Sequence, residues 1–132
     1  MPGRFADSNV VLYLASSDIR KLAISNALLS AGLSISVQVL NEATNVLRRK
    51  YKMSWQDVRD FLALVRVFAN VVPIDLDTHL LALNIAERYG FTIYDSMILA
   101  AAMQSGCDTL FSEDMQHGQM IDGRVTVINP FI

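Results

Sequence analysis

Four carboxylates, Asp7, Glu42, Asp95 and Asp114, each follow a different apolar segment of this 132-residue chain. Each falls where a strand is expected to hand over to a helix or loop. In a parallel α/β sheet such handovers lie along one edge. Four acids on one edge repel one another unless a cation sits between them. Oxygen ligands of this kind suit Mg2+ or Mn2+, and the chemistry is that of a metal-dependent phosphodiesterase.

Each acid also has a plainer role open to it. Asp7 and Asp95 suit helix caps, where negative charge is favoured. Glu42 is harder to explain so. With Val39, Ala43 and Val46 it occupies one helical face that is otherwise apolar. Asp95 has the same relation to Ile98, Leu99 and Ala102. A carboxylate on a core-facing stripe is costly to bury unless a cation or donor meets it. Asp114 alone reads as a loop acid; its interest is that it follows a strand, as Asp7 does. Glu113 beside it is expected to point to solvent. Ser8, Asn9 and Ser112 flank the acids and suit supporting hydrogen bonds.

Other chemistries find little support. One cysteine and two distant histidines make no zinc set. His79 is expected to be structural or exposed, and His117 lies in the loop after Asp114. There is no Gly-x-Ser-x-Gly elbow and no phosphate-binding glycine loop. Cys107 reads as a packed residue. Arg48, Arg49, Lys50 and Lys52 suit the C-terminal end of a helix, and the same cluster is able to contact phosphates. Arg20 and Lys21 form a weaker basic pair. Tyr51 and Trp55 lie beside the first cluster.

The elements that must position these groups alternate between strand and helix. Strands are expected at Arg4–Ala6, Ser34–Val37, Val71–Ile74, Asp108–Phe111 and Val125–Ile128. Pro73 lacks a backbone donor and puts the third strand near an edge. Helices are expected over 9–14, from Asp18 to Ala31, from Val39 to Lys50, from Ser54 to Phe68, from Asp77 or Thr78 to Tyr89, and from Asp95 to Gln104. Gly32, Gly90 and Gly106 follow three of them, with Gly32 expected as a left-handed stop. The stretch Ser112–Arg124 reads as a loop. Strands separated by helices imply parallel pairing through right-handed crossovers. The expected product is a three-layer α/β/α domain over residues 1–132, with a mainly parallel central sheet.

Composition agrees. The chain is 52% apolar with a net charge of −2, so a packed core is expected and no global basic field marks a nucleic-acid binder. A single cysteine fits a reducing cytoplasm. No signal peptide is read at the start, and no apolar stretch is long enough for a membrane span.

The motifs resemble the PIN domain family. Asp7-Ser8-Asn9-Val10 is similar to its opening Asp-x-Asn, and Glu42 falls where its mid-chain Glu is expected. Tyr94 to Ala102 resembles its third-acid helix, and Leu110 to Gly118 its fourth-acid segment. The size and the Glu113-to-Gly118 run are most similar to single-domain toxins of the VapC type. The resemblance implies an acidic pocket for Mg2+ or Mn2+ formed by Asp7, Glu42, Asp95 and Asp114. It also implies endoribonuclease activity on RNA, a cognate antitoxin and a homodimer. Ser8 and Ser112 replace the more frequent Thr but keep the hydroxyl. Arg4 stands where an apolar residue is usual, so the first strand is expected to pair weakly. The competing reading is a binding module that has lost turnover. A receiver domain lacks its Lys after the last strand, and a haloacid-dehalogenase-like phosphatase lacks its second early Asp, replaced by Asn9.

Overall fold

The computed structural model describes residues 3–132. Six strands form one sheet: β1 (Gly3–Ala6), β2 (Leu33–Ser36), β3 (Ala69–Val72), β4 (Cys107–Phe111), β5 (Met120–Ile121) and β6 (Val125–Ile128). Their order is β3-β2-β1-β4-β6-β5, and every pairing is parallel except β5 with β6. Six helices connect them: α1 (Ser8–Leu12), α2 (Ile19–Ala31), α3 (Val37–Arg49), α4 (Trp55–Phe68), α5 (Leu76–Tyr89) and α6 (Ile93–Gln104). A 3-10 turn at Tyr13–Ala15 extends α1.

The strand order explains the layering. From β1 the chain steps to β2 and then β3, so the intervening helices share one face. It then crosses back to β4 on the far side of β1, and the right-handed rule puts α5 and α6 on the opposite face. Consecutive strand residues are accordingly buried on both sides: Phe5 with Ala6, Ile35 with Ser36, and Leu110 with Phe111. The three-layer α/β/α reading holds. Among the described residues, no helix is long and apolar enough to cross a membrane.

Local chemistry sets the helix ends. Asp18 caps α2 by accepting from the Lys21 amide, and Ser54 caps α4 by accepting from Asp57. Several boundaries differ from expectation; β3 runs Ala69–Val72, not the expected Val71–Ile74, and α6 opens at Ile93 behind a Thr92 cap and not at Asp95. α5 is capped by Asp75, in a reciprocal box with Thr78, and not by Asp77 or Thr78. Gly32 closes α2 at φ 106° and ψ 116°, outside the left-handed helical well, because the chain runs straight into β2. Gly90 does adopt that well after α5. The segment after Ser112 is not all loop. Asp122 and Gly123 both take positive φ (53° and 64°) and turn a β5–β6 hairpin.

The first strand is paired better than Arg4 suggests. Four β1 residues register with β4 across a bulge between Gly3 and Arg4, whereas Phe5–Ser34 is the one registered pair with β2. The Arg4 guanidinium lies 5.5 Å from the Phe111 ring centroid, so its stem covers the sheet while its head stays polar. β3 is the edge strand, as expected, but it ends at Val72, so Pro73 lies just outside it and not within it.

Thr92 caps α6 by accepting from the Asp95 amide at 3.1 Å. Thr92→Ala is expected to cost about 1 kcal/mol, the usual cost of losing such a cap. Chemical denaturation checks this, and an unchanged midpoint would show that packing alone fixes the first turn of α6.

Candidate active site

β1 and β4 lie side by side at the point where the chain reverses its direction across the sheet. Ligands of open parallel sheets bind at the carboxyl ends of strands at such a switch point. Asp7 directly follows β1, and its amide donates to the Phe111 carbonyl at 2.9 Å, so β1 and β4 stay paired to their ends. Ser112 and Asp114 follow β4. Glu42 comes from the second turn of α3, and Asp95 from the first turn of α6.

Asp7 is the buried centre of this group, 2% exposed. It caps α1, accepting from the Ser8 amide at 2.7 Å on one oxygen. Its other oxygen accepts from the Ser112 hydroxyl at 2.7 Å and from the Asn9 amide at 3.5 Å. The capping role and the site role therefore coincide in one residue. Burial pushes its carboxyl up to about 6; the Ser112 and Ser8 bonds oppose this, and the Asp95 and Glu42 charges add to it. Asp95 is half-buried and also raised, first by burial and then by the charges of Glu42 and Asp114. Asp7 thus feels the charges of Asp95 and Glu42, and Asp95 those of Glu42 and Asp114.

The flanking residues tie them together. The Ser8 hydroxyl donates to Glu42 at 3.2 Å. The Asn9 amide donates to Asp114 at 3.2 Å. Ser112 Oγ donates to Asp7 while accepting from the Asp114 and Met115 amides at 3.2 and 3.4 Å. Gln38, one turn before Glu42, donates to its second oxygen at 2.9 Å. Gln38 is not among the residues expected from the sequence, although its i, i+4 spacing to Glu42 is the signal that marks it.

Glu113 does not point to solvent. It pairs with Lys21 at 2.7 Å and accepts from the Tyr13 hydroxyl, while Lys21 also donates to Tyr13 at 3.0 Å. Burial pushes the Glu113 carboxyl up, but its bonds to Lys21 and Tyr13 outweigh that and hold it below the usual range. The Glu113 amide donates to Asn9 Oδ1 at 3.3 Å, so the same segment is anchored on both sides of its backbone. His79 is exposed, as expected. His117 is exposed too, and its Nδ1 accepts from the Asn129 amide. Cys107 is buried.

Among the described residues, no three His, Cys, Asp or Glu side chains are grouped closely enough to ligate one ion as they stand. Mg2+ does not require three; it takes one or two carboxylates and fills its shell with water and phosphate oxygen. Among the described residues, no Lys or Arg pairs with any of the four acids. An all-oxygen donor set, partly buried and without a counter-charge, fits a hard divalent cation.

The molecule is thus an α/β protein with hydrogen-bonded carboxylates at the switch point of a mainly parallel sheet. The PIN domain family model matches residues 4–120, and the chain belongs to that family. Among solved structures, it resembles a chain of a toxin–antitoxin complex from Klebsiella pneumoniae, with a TM-score of 0.72 and 23% identity over 97% of this chain and 98% of that one. It also resembles VapC20 of Mycobacterium tuberculosis, described as a sarcin–ricin loop cleaving toxin, with a TM-score of 0.69 and 16% identity over 84% and 89%. VapBC2 from Rickettsia felis, bound to a promoter DNA fragment, gives 0.69 and 16% over 94% and 96%. At these identities the likeness is one of fold. No curated protein matches the chain.

Proposed function

We propose that this protein is a metal-dependent endoribonuclease, the toxin of a type II toxin–antitoxin pair, with residues 1–132 forming one nuclease domain. The observation that carries the reading is the convergence of Asp7, Glu42, Asp95 and Asp114 at the β1–β4 switch point, with no cationic side chain among the described residues paired to them. Membership of the PIN domain family and the fold shared with VapC20 and with chains of toxin–antitoxin complexes support it.

Asp7, Glu42, Asp95 and Asp114 would hold Mg2+ or Mn2+. The chemistry supplied by such an ion is Lewis-acid: it offsets charge building on the phosphodiester and makes nearby water more acidic. The chain's own contribution is position and polarity. Ser8, Asn9, Ser112 and Gln38 hold the carboxylates of Asp7, Glu42 and Asp114, so little reorganisation of these three is needed when substrate arrives. Asp114 is exposed and Asp95 half-buried, and both are suited to orient an attacking water.

The expected partners are single-stranded or structured RNA, an antitoxin protein and a second copy of the chain. An apolar groove between α2 and α4, lined in part by Leu22, Leu29, Phe61, Leu64 and Phe68, would suit a protein partner. Leu62 and Val65 belong to the core, while Leu64 and Phe68 are exposed and free to contribute to such an interface. A lone buried Cys107 is consistent with a reducing cytoplasm.

The test is incubation of labelled RNAs with the purified protein and with Asp95→Asn, in magnesium, in manganese and in chelator. Cleavage that needs both the metal and Asp95 is expected. Full activity in the variant or in chelator would sink the reading. The alternative, a silent binding module, draws on the fact that, among the described residues, no three of these acids are grouped closely enough to hold one ion as they stand. It predicts metal binding without cleavage of any RNA.

A further inference from the structure

A groove that runs from Asn9 is lined by Asn9, Leu12, Tyr13, Val46, Lys50 and Tyr51 and holds about 280 Å3. At one end is Asn9, whose amide reaches Asp114 and Asp7. At the other is the C-terminal end of α3. None of the six lining residues is acidic, in contrast to the four carboxylates beside them. Lys50 and Arg49 are exposed, and among the described residues neither is paired with a carboxylate. Tyr51 is 38% exposed, and the Lys50 ammonium lies 5.8 Å from its ring centroid.

The turn that presents Tyr51 is held firmly. Arg48 donates to the Met53 carbonyl at 2.7 Å and stacks over Trp55 at 4.4 Å. The Met53 amide returns to the Leu47 carbonyl at 3.1 Å. Between them Lys52 takes φ 57°, a region that side-chain-bearing residues rarely adopt. Such a conformation persists where its surroundings over-determine it, and it clusters at binding sites.

We propose that this groove binds the nucleotide flanking the scissile phosphate of single-stranded RNA, with Tyr51 stacking on its base and Lys50 contacting its backbone phosphate. The inference rests on the ribonuclease reading of the neighbouring acids. An acidic pocket repels a polyanion, so the strand must gain its attraction from a basic flank. An aromatic face beside an ammonium matches a base beside a phosphate. Only an unstacked base offers its face, which selects single strands over duplex.

The test is fluorescence anisotropy of labelled single-stranded and duplex RNA with the full chain, in chelator so that nothing is cut, across a salt series. Tyr51→Ala is expected to weaken single-strand binding about 5- to 100-fold, and Tyr51→Phe to keep it. Lys50→Ala is expected to reduce the slope of log affinity against log salt by about 0.7. Duplex binding should not change in Tyr51→Ala. Wild-type affinity and slope in folded Tyr51→Ala and Lys50→Ala would overturn the proposal. So would no single-strand binding by the intact chain, or variants that lose only a protein partner. Binding through Lys50 and Tyr51 without any metal-dependent cleavage would keep the groove and reject the nuclease. Cleavage with variants that bind like wild type would do the reverse.

Discussion

Asp7→Asn is expected to lower metal-stimulated RNA cleavage by at least about 100-fold and yet to raise metal-free stability near neutral pH. The loss follows from removing the most buried of the four acids, since even residues that merely support metal ligands are worth about 10- to 100-fold. The gain follows from charge. The Asp7 carboxyl is pushed up from an ordinary 3.8 to about 6, chiefly by burial. The folded state therefore holds its proton more tightly than the unfolded one between those values. By linkage, stability must fall as pH rises from about 4 to about 6 and then level off. Two pKa units correspond to on the order of 3 kcal/mol. Asparagine carries no charge, and its carbonyl oxygen is able to keep the bond from the Ser8 amide; its NH2 replaces the acceptor of the Ser112 and Asn9 donors, which offsets part of the gain. Urea denaturation in chelator from pH 4 to 7 should show a decline in wild type that Asp7→Asn lacks. Parallel curves would mean that Asp7 is not desolvated as the structure has it.

Phe5→Ala is expected to destabilise the protein by about 3–5 kcal/mol, the range for emptying an aromatic site in a core. Phe5 is 0% exposed and sits in β1, registered against Ser34 on one side and Leu110 on the other. The cost is a large share of the roughly 5–15 kcal/mol typical of a domain. The guanidinium midpoint should drop without a change in slope. A loss under about 1 kcal/mol would argue against β1 as a central strand. Because Asp7 lies two residues on, the same substitution should also reduce activity in conditions where the protein remains folded.

Local periodicity and turn chemistry make the strand–helix alternation and the four acids legible in the amino-acid sequence. Each acid is marked by the apolar segment that precedes it, and Ser8, Asn9 and Ser112 by adjacency. What stays hidden is long-range or involves several residues competing for one role. Glu113 and Lys21 are 92 positions apart, and nothing near either one names the other. The cap of α5 falls to Asp75 because Asp75, Asp77 and Thr78 are all competent, and only the reciprocal Asp75–Thr78 bonds choose between them. The β5–β6 hairpin carries the signature Asp122-Gly123, but a two-residue strand offers too short an alternation to notice. Arg4 looks like a flaw in β1 because its apolar stem and its ring contact with Phe111 are invisible in a one-letter reading.

The bond between Ser112 and Asp7 spans 105 residues. During synthesis β1 leaves the ribosome well before its neighbour β4, with β2, β3 and all six helices between them. β1 has just one registered pair with β2, so its main partner is the late one. Closing so long a loop is slow and happens only once the intervening helices exist to shorten it. A nascent or truncated chain lacking β4 would therefore carry Asp7 without Ser112 or Asp114. The acidic rim is thus among the last features the growing polypeptide completes, and an unfinished chain would lack the full set of four carboxylates.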